Sequence, residues 1–265
     1  MAKFFGGGKG KAVKKKLTNN KFKIVSLTFI GIVVILAGLF GFWLSMGPEL
    51  LPEAYAALHQ DEQVQVTEGE NWLDFTPKGQ SPDTAVILYP GGRLKPEAYA
   101  PLARNLALEG YRIFLVSMPF DLSFFGYDRA DTIISEHSDI QRWYIGGHSL
   151  GGAMAARYIN QKNTREVDLD GLILMASYPD ESDDLSDHNI RAMSIYADRD
   201  GYVTEEDIST SKDLLPAETE YVEISGGNHS QFGWYEQQRE DLDPKISLEK
   251  QQQIVLDSIL EFLDN

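Results

Sequence analysis

The stretch Gly146-Gly147-His148-Ser149-Leu150-Gly151-Gly152 constrains this chain more than any other. Just before it stands the apolar run Trp143-Tyr144-Ile145, which reads as a strand; just after it, Ala153-Met154-Ala155-Ala156-Arg157-Tyr158 reads as a helix. A G-x-S-x-G between strand and helix is a nucleophile elbow. The glycines leave room for a sharp turn that holds the serine in strained geometry with its hydroxyl exposed. Taken alone, the motif also fits a Gly-rich turn that happens to contain serine, so the residues downstream have to decide.

A serine hydroxyl is a weak nucleophile at neutral pH and needs a base. In folds built around this elbow the partners follow in the order Ser, acid, His. Of the five histidines, His59 and His137 precede Ser149, and His148 lies inside the elbow. His188 sits in a polar stretch, Asp183 to Asn189, ahead of the best acid candidate and reads as a solvated loop residue. His229 follows the alternating strand Tyr221-Val222-Glu223-Ile224 in Ser225-Gly226-Gly227-Asn228-His229, where a loop can carry it over the sheet edge as general base.

The acid should end the preceding strand, and Ala192-Met193-Ser194-Ile195-Tyr196-Ala197 runs directly into Asp198-Arg199-Asp200-Gly201. Two carboxylates compete. Asp200 takes the D of a G-x-x-D-x-x-V pattern in which Ala197 replaces the Gly; Asp198 reads as a turn residue capping local amides or pairing with Arg199. Asp200 is therefore expected to orient the imidazole. An oxyanion hole completes the requirement. One donor should be the amide of Leu150 and the other should come from Tyr89-Pro90-Gly91-Gly92-Arg93. Pro90 has no amide to give, which leaves Gly92, with Arg93 in reserve.

With these residues in place, 62–265 resemble the α/β-hydrolase superfamily, specifically its compact group with a Tyr-Pro-Gly-Gly loop and a Gly-Gly-Asn-His segment. The resemblance rests on Tyr89 to Gly92, Pro96 to Ala103, Gly146 to Gly152, Ala176 to Pro179 and Gly226 to Gly233. It implies a serine hydrolase acting on esters or related acyl compounds, without a cofactor. Ala197 for the usual Gly, and Trp234 and Glu236 after the histidine loop, depart from the group and bear on pocket shape.

The periodicity agrees with an α/β fold. Strands are expected at Thr84 to Tyr89, Tyr111 to Ser117, Trp143 to Gly147, Gly171 to Ala176, Met193 to Ala197 and Glu220 to Ile224. Helices are expected at Pro96 to Glu109, Arg129 to His137, Ser149 to Gln161, Glu205 to Leu214 and Ser247 to Leu263. Such alternation means a mostly parallel sheet flanked by helices. Val64 to Val66 and Trp72 to Phe75 should form an antiparallel pair. Cap domains in this superfamily usually follow the strand that ends here at Ala176; the next strand begins near Met193, too soon for a large cap.

The N-terminal part follows different rules. Eight lysines and no acid occupy residues 1–23, and 24–46 carry no charge. At 1.5 Å rise per residue, that run spans the roughly 30 Å hydrocarbon core, so 24–46 are read as one transmembrane anchor behind a basic cytoplasmic tail. A cleaved signal peptide, releasing the enzyme, is the rival reading. Residues 47–62 then read as a juxtamembrane linker and 63–265 as the hydrolase domain, outside the membrane. Without the first 46 residues the chain holds 16 basic against 40 acidic residues, a formal charge of −24, which argues against nucleic acid as a partner. The absence of cysteine excludes disulfides, thiolate metal sites and a cysteine nucleophile.

No metal constellation emerges: Asp180-Glu181-Ser182-Asp183-Asp184 lacks regular ligand spacing and reads as a solvated loop. Phe120, Phe124, Phe125, Tyr178, Tyr202, Phe232 and Trp234 fall after strands, where pockets in open α/β sheets are lined. The expected substrate is a small ester or acyl compound. Acyl transfer by the same triad, and a tethered binding protein that kept the fold, are the alternatives.

Overall fold

The computed structural model describes Met1 and residues 25–36, 38–41, 43, 46–162 and 169–265. The chain divides into two compact units, Met1–Gly47 and Pro48–Asn265. In the first, 25–36 are helical, and large side chains such as Val25, Leu27, Phe29 and Ile35 are exposed. Most of the basic tail and part of the expected 24–46 anchor lie outside the described residues. Among the described residues no helix is long and apolar enough to cross a membrane.

The second unit is built on one eight-stranded sheet: β1 (Val64–Glu68), β2 (Trp72–Pro77), β3 (Thr84–Tyr89), β4 (Arg112–Val116), β5 (Arg142–His148), β6 (Gly171–Met175), β7 (Arg191–Ala197) and β8 (Glu220–Ile224). Their order across the sheet is β1-β2-β4-β3-β5-β6-β7-β8. β1 and β2 are antiparallel, as is β2 with β4, and every other pairing is parallel. Helices α1 (Pro52–Ala56), α2 (Ala100–Leu108), α3 (Ala130–Glu136), α4 (Leu150–Lys162), α5 (Glu205–Thr210) and α6 (Leu248–Asp264) complete the unit.

Alternation within strands explains the layers. Val86 and Leu88 of β3, with Ile113 and Leu115 of β4, pack on one face with Leu102 and Leu106 of α2 and Val255, Ile259 and Phe262 of α6. Ala85 and Ile87 point to the other face with Phe114, Trp143 and Ile145, under Ile133 of α3 and Met154 and Tyr158 of α4. All six residues of β3 and all five of β6 are buried, as a parallel strand covered by helices on both faces requires. The apolar runs in the sequence therefore have no polar face to show.

Three expected helices begin or end differently from their patterns. Pro96–Tyr99, Tyr127–Arg129 and Ser211–Leu214 wind as 3-10 turns beside α2, α3 and α5, tighter windings common at helix termini. Residues 47–62, read from sequence as a connector, carry α1 with Ala54 buried, and Leu50 bridges to Tyr235. Between β6 and β7, residues 176–190 contain no helix or strand, so the C-terminal edge of the sheet there is covered by loop alone.

Candidate active site

The elbow stands where β5 leaves the sheet. Tyr89 at the end of β3 pairs in register with Gly147, and Met175 at the end of β6 with His148. Ser149 has φ 53°, the left-handed region that a residue with a Cβ enters only when its surroundings hold it there. The restraint is visible on both sides. The Ser149 N–H donates to the Met175 carbonyl at 3.0 Å, and Ser177 Oγ donates to the Ser149 carbonyl at 2.7 Å. A Cβ on Gly147 would lie 2.6 Å from the Tyr89 carbonyl oxygen, and one on Gly151 would strike the same oxygen. Both glycines of the motif are thus fixed by close approach to β3.

At the end of β7 the two competing carboxylates part. Asp200 Oδ2 lies 2.7 Å from His229 Nδ1, with both side chains almost wholly buried. Its Oδ1 accepts the N–H groups of Tyr202 and Val203, each at 2.7 Å. With Oδ1 held in that turn, Oδ2 stays on the imidazole. Directly beyond, Thr204 and Asp207 form a capping box that starts α5, fixing the turn from its other end. Asp198 faces elsewhere: its Oδ1 accepts the Gly226 N–H at 2.6 Å, closing the turn after β8.

His229 is held by groups the sequence patterns do not single out. Asp241, buried, accepts the His229 N–H (3.3 Å) and the Gly201 N–H (3.0 Å) on Oδ1, and the Ser230 N–H (2.7 Å) on Oδ2. One carboxylate so ties the loop of Asp200 and Gly201 to the loop of His229 and Ser230. The Asn228 backbone is clamped by Gln251 of α6, whose Oε1 accepts its N–H and whose Nε2 donates to its carbonyl. An acid twelve positions past the histidine, in an irregular loop, gives no periodic or motif signal.

His148 is fully buried beside His229, with ring centroids 4.5 Å apart. Its Nδ1 is 2.9 Å from the Tyr99 hydroxyl, and that hydroxyl accepts the Gly91 N–H at 3.0 Å. Burial, and then the neighbouring His229, push its pKa well below the ordinary 6.5, so His148 is neutral. The oxyanion candidates sort themselves by the same contacts. The Gly91 amide is engaged by Tyr99, and the Arg93 amide, the reserve donor, donates to the Asp121 carbonyl at 2.7 Å. Gly92 is the donor left in that loop, and it stands in van der Waals reach of Leu150, 3.5 Å from a Cβ built there.

A cleft of about 330 Å³ opens beside Ser149, walled by Leu150, Ala176, Tyr178, Asp180 and Tyr202. Of the aromatics expected at the mouth, Tyr178 and Tyr202 line it. Phe232 does not: it is fully buried and stacks on His148, centroids 5.6 Å apart. Phe120, Phe124 and Phe125 are exposed in the loop after β4 and pack edge-on against one another. Asp183 in the acidic run is buried against Arg157 at 2.9 Å, and among the described residues no cluster of three or more His, Cys, Asp or Glu could hold a metal ion.

Residues 85–253 match the family model described as "Alpha/beta hydrolase family", a span holding Ser149, Asp200 and His229. Among solved structures, TT1662 from Thermus thermophilus superposes with a TM-score of 0.56 at 11% identity, covering 77% of this chain and 99% of that one. Est1E from Butyrivibrio proteoclasticus, solved with ferulic acid bound, gives 0.55 at 12% identity, covering 76% and 100%. An alpha-beta serine hydrolase homologue from Coxiella burnetii gives 0.50 at 14%, covering 76% and 98%. At these identities the likeness is one of fold. No curated protein matches.

Proposed function

The chain belongs to the alpha/beta hydrolase family, and from that premise we propose that it hydrolyses carboxylic esters through an acyl-enzyme, with Ser149 as nucleophile, His229 as general base and Asp200 as the group that orients it. The observation that carries this reading is the buried 2.7 Å hydrogen bond between Asp200 and His229, together with a serine held at φ 53° beside an open cleft. Asp200 on Nδ1 places the imidazole proton there and leaves Nε2 as the lone pair that takes the serine proton.

Ser149 Oγ adds to the ester carbonyl carbon as His229 Nε2 takes its proton. The oxyanion so formed is met by the amides of Gly92 and Leu150, interactions of this type contributing about 3 kcal/mol each. Collapse breaks the acyl C–O bond, and His229 returns the proton to the departing alcohol. Water, deprotonated by the same imidazole, then releases the acid and restores Ser149. An ester substrate fits the company this fold keeps, since Est1E was solved with ferulic acid bound.

The location proposed is a cell membrane, with residues 24–46 as an uncleaved single-pass anchor, the lysine-rich end in the cytoplasm and the catalytic domain outside. Eight lysines on one side of an uncharged run, and exposed apolar side chains along the helical residues 25–36, support it.

The test is labelling with a fluorophosphonate probe, mapped by mass spectrometry, alongside a panel of p-nitrophenyl esters. Labelling at Ser149 and its loss in Ser149→Ala, with ester turnover reduced on the order of 10⁴-fold or more, are expected. Turnover retained in Ser149→Ala would exclude the mechanism.

A further inference from the structure

The cleft beside Ser149 is lined mostly by apolar and aromatic side chains. Among the residues that line it, Asp180 is the one charged side chain. Ser182 donates to its Oδ1 twice, from Oγ at 2.6 Å and from N–H at 3.0 Å, and these bonds hold its carboxyl below the usual range. Both fall on Oδ1, so Oδ2 lies outside that turn. The Tyr202 hydroxyl donates to Glu240 Oε2 at 3.4 Å. Asp207 and Asp180 act on the Tyr178 phenol, and Glu240 and Asp241 on that of Tyr202; after burial, these charges raise both phenols above their ordinary value. Arg157, the cation felt by Asp180, is bound to Asp183 at 2.9 Å.

Two tyrosine rings and a carboxylate around one small cavity are the components that recognise a substituted ammonium: the ring faces are negative, and alkyl groups on nitrogen are content against apolar walls. The position of the rings indicates which half of an ester is concerned. Tyr202 stands over His229, ring centroids 4.9 Å apart, and the alcohol leaves on the side of the imidazole that protonates it. The surplus of acidic residues beyond residue 46 adds a long-range pull on cations and a barrier to anions.

Resting on the reading of Ser149 as nucleophile, we infer that this cleft selects esters whose alcohol carries a quaternary or substituted ammonium group, seated between Tyr178 and Tyr202 and paired with Asp180. An ester with a carboxylate in the same place meets Asp180 and finds no cation among the lining residues. The chemistry is unchanged: the ammonium leaves on the alcohol, and its charge takes no part in bond making.

The experiment compares three acetates on the full-length protein in non-ionic detergent: acetylcholine, its neutral carbon isostere 3,3-dimethylbutyl acetate, and 3-carboxypropyl acetate. Fluorophosphonate labelling of Ser149 is measured on the same sample. The expected order of kcat/KM is cationic, neutral, anionic. The cationic ester should lead its isostere by about tenfold, and the lead should shrink as salt is raised. Asp180→Asn, a change at an exposed loop position, should bring the cationic-to-neutral ratio toward one. A neutral isostere turned over as well as the cation, an unchanged ratio in Asp180→Asn, or labelling of Ser149 without turnover of the ammonium ester overturns the selectivity alone. Absence of both labelling and turnover overturns the nucleophile assignment and this inference with it.

Discussion

The phenolic oxygen of Tyr99 stands 2.9 Å from Nδ1 of His148 while it accepts the N–H of Gly91. One hydroxyl oxygen thus joins the Gly91 amide to the His148 ring. The elbow's histidine is thus pinned on one side to the loop after β3. On the other it lies against the ring of His229. A Cβ on Gly91 would come 2.9 Å from the same Nδ1, so loop and imidazole are in direct contact.

Removing that hydroxyl tests the pinning. Tyr99→Phe keeps the ring and leaves the Gly91 N–H and His148 Nδ1 buried without their partner, a cost of about 1–3 kcal/mol in stability. Turnover should fall roughly tenfold in kcat with KM little changed, since the oxyanion amides matter most in the transition state. Urea unfolding and steady-state kinetics measure the two effects. A change confined to KM would mean that the Tyr99–His148 pair shapes substrate binding instead.

The acids at the end of β7 make opposite predictions. Asp200→Asn should cost about 10⁴ in kcat, because an amide facing Nδ1 favours the wrong imidazole tautomer. Asp198→Asn retains an oxygen for the Gly226 N–H and should leave kcat within a few-fold. Parallel kinetics on the two variants check the ranking, and the reverse order would move the catalytic role to Asp198.

Stability should fall in acid through His148. Its pKa in the folded protein is depressed, so below the unfolded value of about 6.5 the unfolded chain binds a proton that the native one refuses. The contribution is fully present above about pH 6.5 and is lost as pH falls toward the depressed value, at about 1.4 kcal/mol per pH unit for one proton. Unfolding free energies between pH 5 and 7 should show this slope. His148→Gln, which cannot titrate, should flatten it; an unaltered slope would place the linked proton elsewhere.

Topology is tested on cells. Eight lysines precede residue 24, and the next 46 residues beyond Met46 include one basic residue, Lys78. The catalytic domain should be digested by protease added to intact spheroplasts, and the protein should stay with the membrane through a carbonate wash. Protection of the domain would reverse the orientation, and a mature N-terminus near Pro48 would identify a cleaved signal peptide.

Local backbone demands were legible in the chain. The strand, the glycines and the helix around Ser149 mark the elbow because no other residues permit that turn, and unbroken apolar runs mark β3 and β6 because both their faces are covered. The order of Ser149, Asp200 and His229 could be read for a related reason: each follows the C-terminal end of a strand, Ser149 in the turn into α4 and the other two in loops. Which atoms meet across the fold was not. Asp198 and Asp200 end the same strand two residues apart, yet one closes the turn at Gly226 and the other binds His229. The Arg93 amide donates to Asp121, Phe232 lies under the site instead of in its mouth, and Asp241 comes from a loop without pattern to tie the Gly201 and His229 loops together. The sequence by itself determined where the backbone must turn sharply and which segments must be buried, since steric room and hydrophobic period are properties of neighbours in the chain. Only the tertiary structure decided which carboxylate, amide and ring each of those segments would face, because hydrogen bonds require approach within about 3 Å, and packing alone sets that distance between residues far apart in sequence.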